Sequence, residues 1–294
     1  MDTQTLRAFL TVAECQSFTE AAELLHLTQP AISKRLSNLE QQLEHRLFDR
    51  IGRKVSLTEA GEALLPQARA ILLAMANAER SVRDLDGSVG GKLSMGISHH
   101  IGLHRLPPVL RYFTRTYPEV RLDIDFMDSE QAHDMILHGE LDLAVITLSP
   151  EQEPNLESFA VWEDPLTVAT ALDHPLASRK TVTLQELQKH TAIPPGLNTY
   201  TGQIIKRLFD EAGLKMDIAM STNYMETIKV MVSIGLGWSI LPATLIDDSV
   251  KALSLKENHL SRTLGCVHHR NRSLSNAAEA FIKVLKEHPE RSIP

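Results

Sequence analysis

Two cysteines in 294 residues are too few for the disulfide framework of a small secreted fold, and Cys15 and Cys266 fall in separate expected domains. Both read as packed, inert thiols. No run of about eighteen apolar residues occurs, so a membrane-spanning helix is not expected. The opening MDTQTLRAFL lacks a basic start followed by an apolar stretch. A secretory signal is therefore not expected, and the cytoplasm is the default address. Positive charge is not in excess: 30 Lys and Arg face 37 Asp and Glu, a net charge of −7. That excludes a general nucleic-acid coat, whose affinity comes from neutralised phosphates. The chain also lacks a G-x-S-x-G elbow, an H-E-x-x-H pair and a P-loop, and Gly235-Leu236-Gly237-Trp238-Ser239 misses the later glycine of a dinucleotide loop. No nucleophile–base pair is visible, so neither an enzyme nor a cofactor is expected.

What is present is ordinary for a soluble globular chain, 43% hydrophobic and 23% charged, with a length that suits two or three domains. Residues 17–58 fit two short helices around a tight turn, then a longer helix and a basic hairpin. Ser17 and Glu20 have capping-box spacing. Phe18, Ala21, Ala22 and Leu25 would face a core, and a turn follows at His26-Leu27-Thr28. Thr28 suits an N-cap and Pro30 the first turn of the next helix. In that helix Ile32, Leu36, Leu39 and Leu43 recur at helical spacing and form one buried stripe. Gln29, Pro30, Ser33, Lys34 and Ser37 fall on another face, small or able to bond bases and phosphates. Arg50, Arg53 and Lys54 cluster around Gly52 as a wing that would grip phosphates. The useful cations thus gather at Lys34, Arg35, Arg50, Arg53 and Lys54, and so few contacts need an assembly to multiply them.

Thr19-Glu20-Ala21-Ala22, Leu27-Thr28-Gln29-Pro30-Ala31-Ile32-Ser33, Leu39-Glu40, Leu47-Phe48-Asp49-Arg50 and Leu57-Thr58-Glu59-Ala60-Gly61 carry a dense resemblance to the winged helix-turn-helix of LysR-type transcriptional regulators. The resemblance implies a DNA-binding regulator with Thr19, Thr28, Gln29, Pro30, Ser33, Lys34, Ser37, Arg50, Arg53 and Lys54 at the double-stranded operator. It implies a homodimer through a linker helix, a homotetramer built from it, and contact with RNA polymerase if the regulator activates. The family's peroxide-sensing branch uses a cysteine pair in the effector domain; this chain has one cysteine there.

After the wing, Leu57, Ala60, Leu64, Ala68, Ile71, Met75, Ala78, Val82 and Leu85 step by three or four, close to a coiled-coil seam. A helix over 58–85 is predicted, capped by Thr58, bent at Pro66 and ended by Gly87, Gly90 and Gly91. It either packs on its own domain or pairs with a partner helix. Strands and helices then alternate: strands over 92–98, 120–127, 141–147, 166–170, 191–194, 217–220 and 238–241, and helices over 103–116, 129–138, 184–190, 201–212, 223–234 and 275–287. The expected fold is α/β, with parallel sheets covered on both faces. This is the plan of two Rossmann-like lobes similar to periplasmic solute-binding proteins, with crossovers near 160–165 and 265–269. The domains are read as 1–58, the winged head; 59–89, the linker; and 90–294, the effector domain, with lobe I over 90–163 and 268–294 and lobe II over 164–267. A secreted solute receptor would share the last of these but not the winged head.

Ligands of open α/β sheets bind beyond the carboxyl ends of strands, near helix N-termini. That rule selects Ser98, His99, His100, Ser129 and Thr147 in one lobe and Gly196, Asn198, Thr199, Thr201 and Asn223 in the other. Asp128, Leu148, Ser221 and Thr222 lie beside them. The ligand expected is a small organic acid. Ser98-His99-His100-Ile101-Gly102-Leu103-His104-Arg105 crowds three histidines at the first strand–helix junction and faintly resembles regulators linked to branched-chain amino acid biosynthesis. Three readings compete: a metal pair at His100 and His104 with no obvious carboxylate or thiolate to complete it, packed histidines without a special role, or an anion site. Charged histidines in an anion site would weaken binding as pH rises from about 6 to 8.

Overall fold

The computed structural model describes residues 1–51, 54–256 and 260–287. They form two compact units, Met1–Leu85 and Asp86–Pro294. In the first, α1 (Thr3–Cys15) starts where Asp2 accepts a hydrogen bond from the Thr5 amide at 2.8 Å. α2 (Phe18–Leu24) starts where Ser17 accepts from the Glu20 amide at 3.3 Å. His26 takes a left-handed φ of 52° in the turn, and α3 (Gln29–Leu43) follows. Residues 17–58 therefore hold one short and one long helix rather than two short and a longer one. Thr28 occupies the N-cap of α3 without a side-chain capping bond, and Pro30 stands in the first turn. Ile32, Leu36 and Leu39 are buried as the spacing predicts, but Leu43 is 38% exposed because α3 ends beside it at left-handed Glu44. The core gathers Leu6, Phe9, Val12, Phe18, Ile32, Leu36, Leu39 and Phe48. Burying each large side chain contributes roughly 1.5–3 kcal/mol.

The hairpin pairs β1 (Phe48–Ile51) with β2 (Lys54–Leu57), antiparallel. Then α4 (Glu59–Arg83) runs on through Pro66. Thr58 accepts from the Gly61 amide at 3.1 Å and donates to the Arg46 carbonyl at 2.6 Å, binding helix to hairpin. A Cβ on Gly61 would stand 2.2 Å from the Leu47 carbonyl oxygen, so glycine is required there. The helix ends at Arg83 and a 3-10 turn (Asp84–Asp86), short of the glycines expected to stop it. Its first half packs on the unit's own core through Ala60, Leu64, Leu65, Ala68 and Leu72. In the second half Met75 and Val82 are exposed, as are Ile71 just before them and Leu85 in the turn after the helix.

The second unit is built on one mixed sheet. Its elements are β3 (Gly91–Ser98), α5 (His99–His104), α6 (Pro107–Thr116), β4 (Val120–Met127), α7 (Ser129–Leu137), β5 (Leu143–Thr147), β6 (Leu156–Thr170), β7 (Thr181–Val182), α8 (Leu184–Leu187), α9 (Tyr200–Glu211), α10 (Met225–Ser233), β8 (Ser239–Pro242), β9 (Lys251–Leu255), β10 (Leu260–His269) and α11 (Asn276–Glu287). The strand order is β4-β3-β5-β10-β6-β9-β7, with β8 also paired to β6. The β4-β3-β5 and β7-β9 pairings are parallel; β10 runs against β5 and β6, and β8 and β9 run against β6. The parallel expectation thus holds for β4-β3-β5 in the first lobe and for β7-β9 and the bridges at Ala192 in the second, but not for the strands that pair with β6 and β10. In the second lobe the expected strands at 191–194 and 217–220 reduce to isolated bridges from Ala192 to Ile218 and Trp238.

Two other expectations change. The helix over 103–116 is two helices, because Pro107 and Pro108 lack the amide hydrogens that would continue α5. The strand over 166–170 is the end of fifteen-residue β6, which with β10 links the lobes. Leu264–Val267 of β10 pair with β5 in the first lobe, so the return crossing lies before residue 265, not over 265–269. Each lobe has a core on either face of the sheet, and α11 returns to the first, where Phe281 meets Phe113 edge-on at 5.1 Å.

Candidate functional sites: a helix surface and an interlobe cleft

On α3 the buried leucines turn the opposite face outward. Gln29, Pro30, Lys34 and Ser37 are exposed, Ser33 is half-exposed, and Thr28 and Thr19 are exposed nearby. Gln29 donates from Nε2 to Ser33 Oγ at 2.9 Å, which orients the amide along the helix surface. Arg35 differs from its expected role: it is half-buried and donates to Gln4 Oε1 at 2.8 Å, bracing α3 against α1. Glu40, which sequence reasoning did not single out as a tie, accepts from the Leu47 amide at 2.8 Å and fixes the start of the hairpin. Of the wing residues, Arg50 and Lys54 have backbone in β1 and β2; their side chains, and all of Arg53, lie outside the described residues.

In the second unit, Ser98, His99, His100, Ser129, Thr147, Thr199, Thr201 and Asn223 line one cleft between the lobes. Gly196 and Asn198 do not line it. Buried Gly196 gives its amide to Asn223 Oδ1 at 3.2 Å, and a Cβ there would stand 2.4 Å from that oxygen; Asn198 is exposed. Several hydroxyls are already committed to local structure. Thr199 accepts from the Gly202 amide at 3.0 Å and donates to the Gly196 carbonyl at 2.7 Å. Ser129 accepts from the Thr147 amide at 3.1 Å. His99 lies between the Phe126 and Tyr224 rings, at 5.9 and 4.8 Å.

The cleft is narrow, with about 40 Å³ of free space, room for only a few water molecules. Asn223 donates to Asp128 Oδ2 at 2.6 Å, and the Tyr200 amide donates to Glu130, so the start of α9 and the segment just before α10 in one lobe are bound to the start of α7 in the other. Burial raises the Glu130 pKa.

The most buried polar cluster was missed from sequence. Asp164 on β6 is fully buried and accepts from Arg262 Nε at 2.9 Å and Arg105 Nη2 at 3.1 Å. Arg262, 5% exposed, also donates from Nη1 to Thr201 at 2.9 Å, and its Nη2 is buried with no hydrogen-bond partner. Burial lowers the Arg262 pKa, but a guanidinium keeps its charge in a protein. A signal was available: in β10 Leu260, Arg262 and Leu264 share the inward register, and in β6 Trp162, Asp164 and Leu166 do the same. An arginine or aspartate between core residues of a strand marks a buried pair.

His100 corrects the expectation of charged imidazoles. Burial lowers its pKa below the ordinary imidazole value, which disfavours its charged form. The carboxylate missing from the histidine set is Glu226 of α10, whose Oε1 stands 2.9 Å from His104 Nε2 and 3.8 Å from His100 Nδ1. The two neighbouring imidazoles, with His100 foremost, hold Glu226 down to about 2. Neither cysteine forms a disulfide; Cys266 is fully buried, which pushes its thiol up to about 12, and Cys15 is half-buried.

Comparison with known proteins decides the assignment. Residues 86–290 match the LysR substrate binding domain, and residues 3–62 match the bacterial regulatory helix-turn-helix of the lysR family. The chain belongs to the LysR family of transcriptional regulators. It is 31% identical to a "Probable RuBisCO transcriptional regulator" of Synechocystis sp. over 98% of this chain and 88% of the relative. It is 60% identical, over 37% of this chain and 75% of the relative, to an uncharacterised HTH-type regulator from the ibpB-leuC intergenic region of Azotobacter vinelandii. Among solved structures, a peroxide-bound OxyR mutant of Corynebacterium glutamicum aligns with a TM-score of 0.60 at 26% identity, over 97% of this chain and 92% of that one. These relatives are regulators, not enzymes. No described helix is long and apolar enough to cross a membrane.

Proposed function

We propose that this LysR-family regulator binds a specific operator through the outer face of α3 and is controlled by a small carboxylated effector held in the interlobe cleft. The observation that carries the effector reading is the unpartnered Nη2 of Arg262. A buried guanidinium with one free arm, beside Thr201 at the start of α9, is the group that would form a charge-assisted bond with a carboxylate. Because the cleft has so little free space, admitting such a ligand means parting Asn223 from Asp128 and the Tyr200 amide from Glu130. An effector with different affinity for the two lobe arrangements shifts their balance; equal affinity would shift nothing.

Residues 1–58 would act as the head, 59–89 as the linker and 90–294 as the effector domain. The exposed Ile71, Met75, Val82 and Leu85 of α4 and the turn after it would pair with a second copy to give a homodimer, with a homotetramer as the larger assembly. The cell compartment is the cytoplasm, and RNA polymerase is a further partner if the regulator activates. The test is fluorescence anisotropy on DNA selected from a random pool by the full chain, with and without a panel of organic acids. At least one acid should change DNA affinity or footprint for the unaltered chain. Arg262→Lys keeps the charge beside Asp164 but removes the free arm, and should bind the selected DNA yet not respond. If Arg262→Lys responded as the parent does, the effector assignment would be wrong.

A further inference from the structure

We propose that His100, His104 and Glu226 form a zinc-type transition-metal site that joins the two lobes at the edge of the cleft. Among the described residues, these three offer donor atoms all within 4.8 Å of one another. His100 and His104 stand four apart on α5, so one helix face presents both rings, with centroids 4.9 Å apart. Glu226 comes from α10 in the other lobe. Tetrahedral zinc, with bonds of roughly 2.0–2.1 Å, places its ligand atoms about 3.4 Å apart. The Glu226–imidazole distances of 2.9 and 3.8 Å straddle that value, and small side-chain rotations would bring the set together.

A plain ion pair accounts for only part of this arrangement. His104 and Glu226 alone would make one, leaving Nδ1 of the second imidazole unused. His100 is 4% exposed, and its Nδ1 is buried with no hydrogen-bond partner, pointed at the same carboxylate. Its other nitrogen, Nε2, meets Thr244 Oγ1 at 3.3 Å, with Asp164 Oδ2 behind at 3.7 Å. With metal on Nδ1, the Nε2 hydrogen donates to that hydroxyl, and a carboxylate behind a ligating histidine is the usual support for such a ligand. Three protein ligands leave a fourth position for water or an oxygen of a bound anion. Because the ligands come from both lobes, only this arrangement of the lobes assembles them, so metal binding would favour it. The assignment requires neither DNA nor any particular organic acid.

The test uses the full chain stripped with a chelator and Zn²⁺ alone as the probe, titrated against a chromophoric competitor. One Zn²⁺ per chain should bind and raise the melting temperature. His104→Ala and Glu226→Gln, both at positions only partly buried, should each weaken binding by about 100-fold or more, since ligand loss exceeds the 10–100-fold typical of supporting groups. They should also abolish the thermal shift. His190→Ala, which alters the other close histidine pair, His174 and His190 at 4.8 Å, should leave affinity within about twofold. Equal zinc affinity in the parent and His104→Ala, or a loss confined to His190→Ala, would overturn the site.

Discussion

On α3 the groups offered to a partner are exposed or half-exposed and come from one stretch, 29–37, while around the cleft they are largely buried and arrive from strands and helices scattered between Ser98 and Arg262. The helix surface needs only a core beneath it: bury Ile32, Leu36 and Leu39, and the opposite face is presented by geometry. The cleft needs strand register, because Arg262 meets Asp164 only as its direct partner across β10 and β6. A surface site therefore tolerates single substitutions with local effects, whereas a buried one couples binding to stability.

The sharpest way to break that contrast is Arg262→Ala. It leaves fully buried Asp164 with Arg105 as its remaining cationic partner, and removing one member of a buried pair costs roughly 3–5 kcal/mol. Urea denaturation should show a loss of that order together with loss of the effector response. A cost under about 1 kcal/mol would place the pair among weakly coupled surface contacts. Next in size is the helix α4 surface. Met75→Glu puts a charge on an apolar position that is 43% exposed in the single chain; if that position is covered by a second copy, sedimentation should show dimer dissociation rising by about 100-fold, the equivalent of roughly 3 kcal/mol. An unchanged dimer would locate the contact elsewhere.

Smaller effects belong to α3. Gln29→Ala and Ser33→Ala should each erode discrimination between operator and mutated operator by about 1–3 kcal/mol with little change in folding stability, and Lys34→Ala should weaken all DNA alike and lower the salt slope by about 1. Folding losses as large as those for Arg262→Ala would erase the distinction between the two sites.

The same contrast explains what could be read from the residues alone. Helical spacing places the buried stripe of α3 because period and burial are local properties, and it misplaces only Leu43, where the helix stops. Strand–helix alternation places the hydroxyls at the cleft because strand ends and helix starts are also local. It misses Arg262, Asp164 and Glu226, whose meeting depends on the pairing of β6 with β10 and on α10 facing α5 across the cleft. Parallel order was expected for the whole sheet because alternation does not distinguish a crossover to a neighbouring strand from a long strand passing between lobes. The length of β6, fifteen residues broken on paper by Pro165, was the least legible feature.

The smallest predicted effect is a pH dependence that separates the units. His100 is held below its ordinary 6.5 by burial, so in mild acid the unfolded chain takes the proton first, and stability is lost as pH falls below about 6.5. Burial shifts His174 and His269 in the same direction, adding to the slope. Glu226, lowered from 4.5 to about 2, contributes stability that is fully present above about 4.5 and is lost as pH falls from there towards about 2. All of these groups lie in the second unit, as do both tryptophans, Trp162 and Trp238. Tryptophan fluorescence therefore reports the cleft unit alone. Its thermal midpoint should be flat above pH 7, decline between 6.5 and 5, and decline again below 4.5, with Glu226→Gln making the second decline shallower while the lowered carboxyls of Asp123, Glu186 and Asp247 keep the rest of it. Because Glu226 is a third exposed, solvent keeps its share small. A midpoint constant from pH 7 to 5 would mean that His100 protonates as easily in the folded chain as in the unfolded one, and the buried cleft cluster would then be open to water.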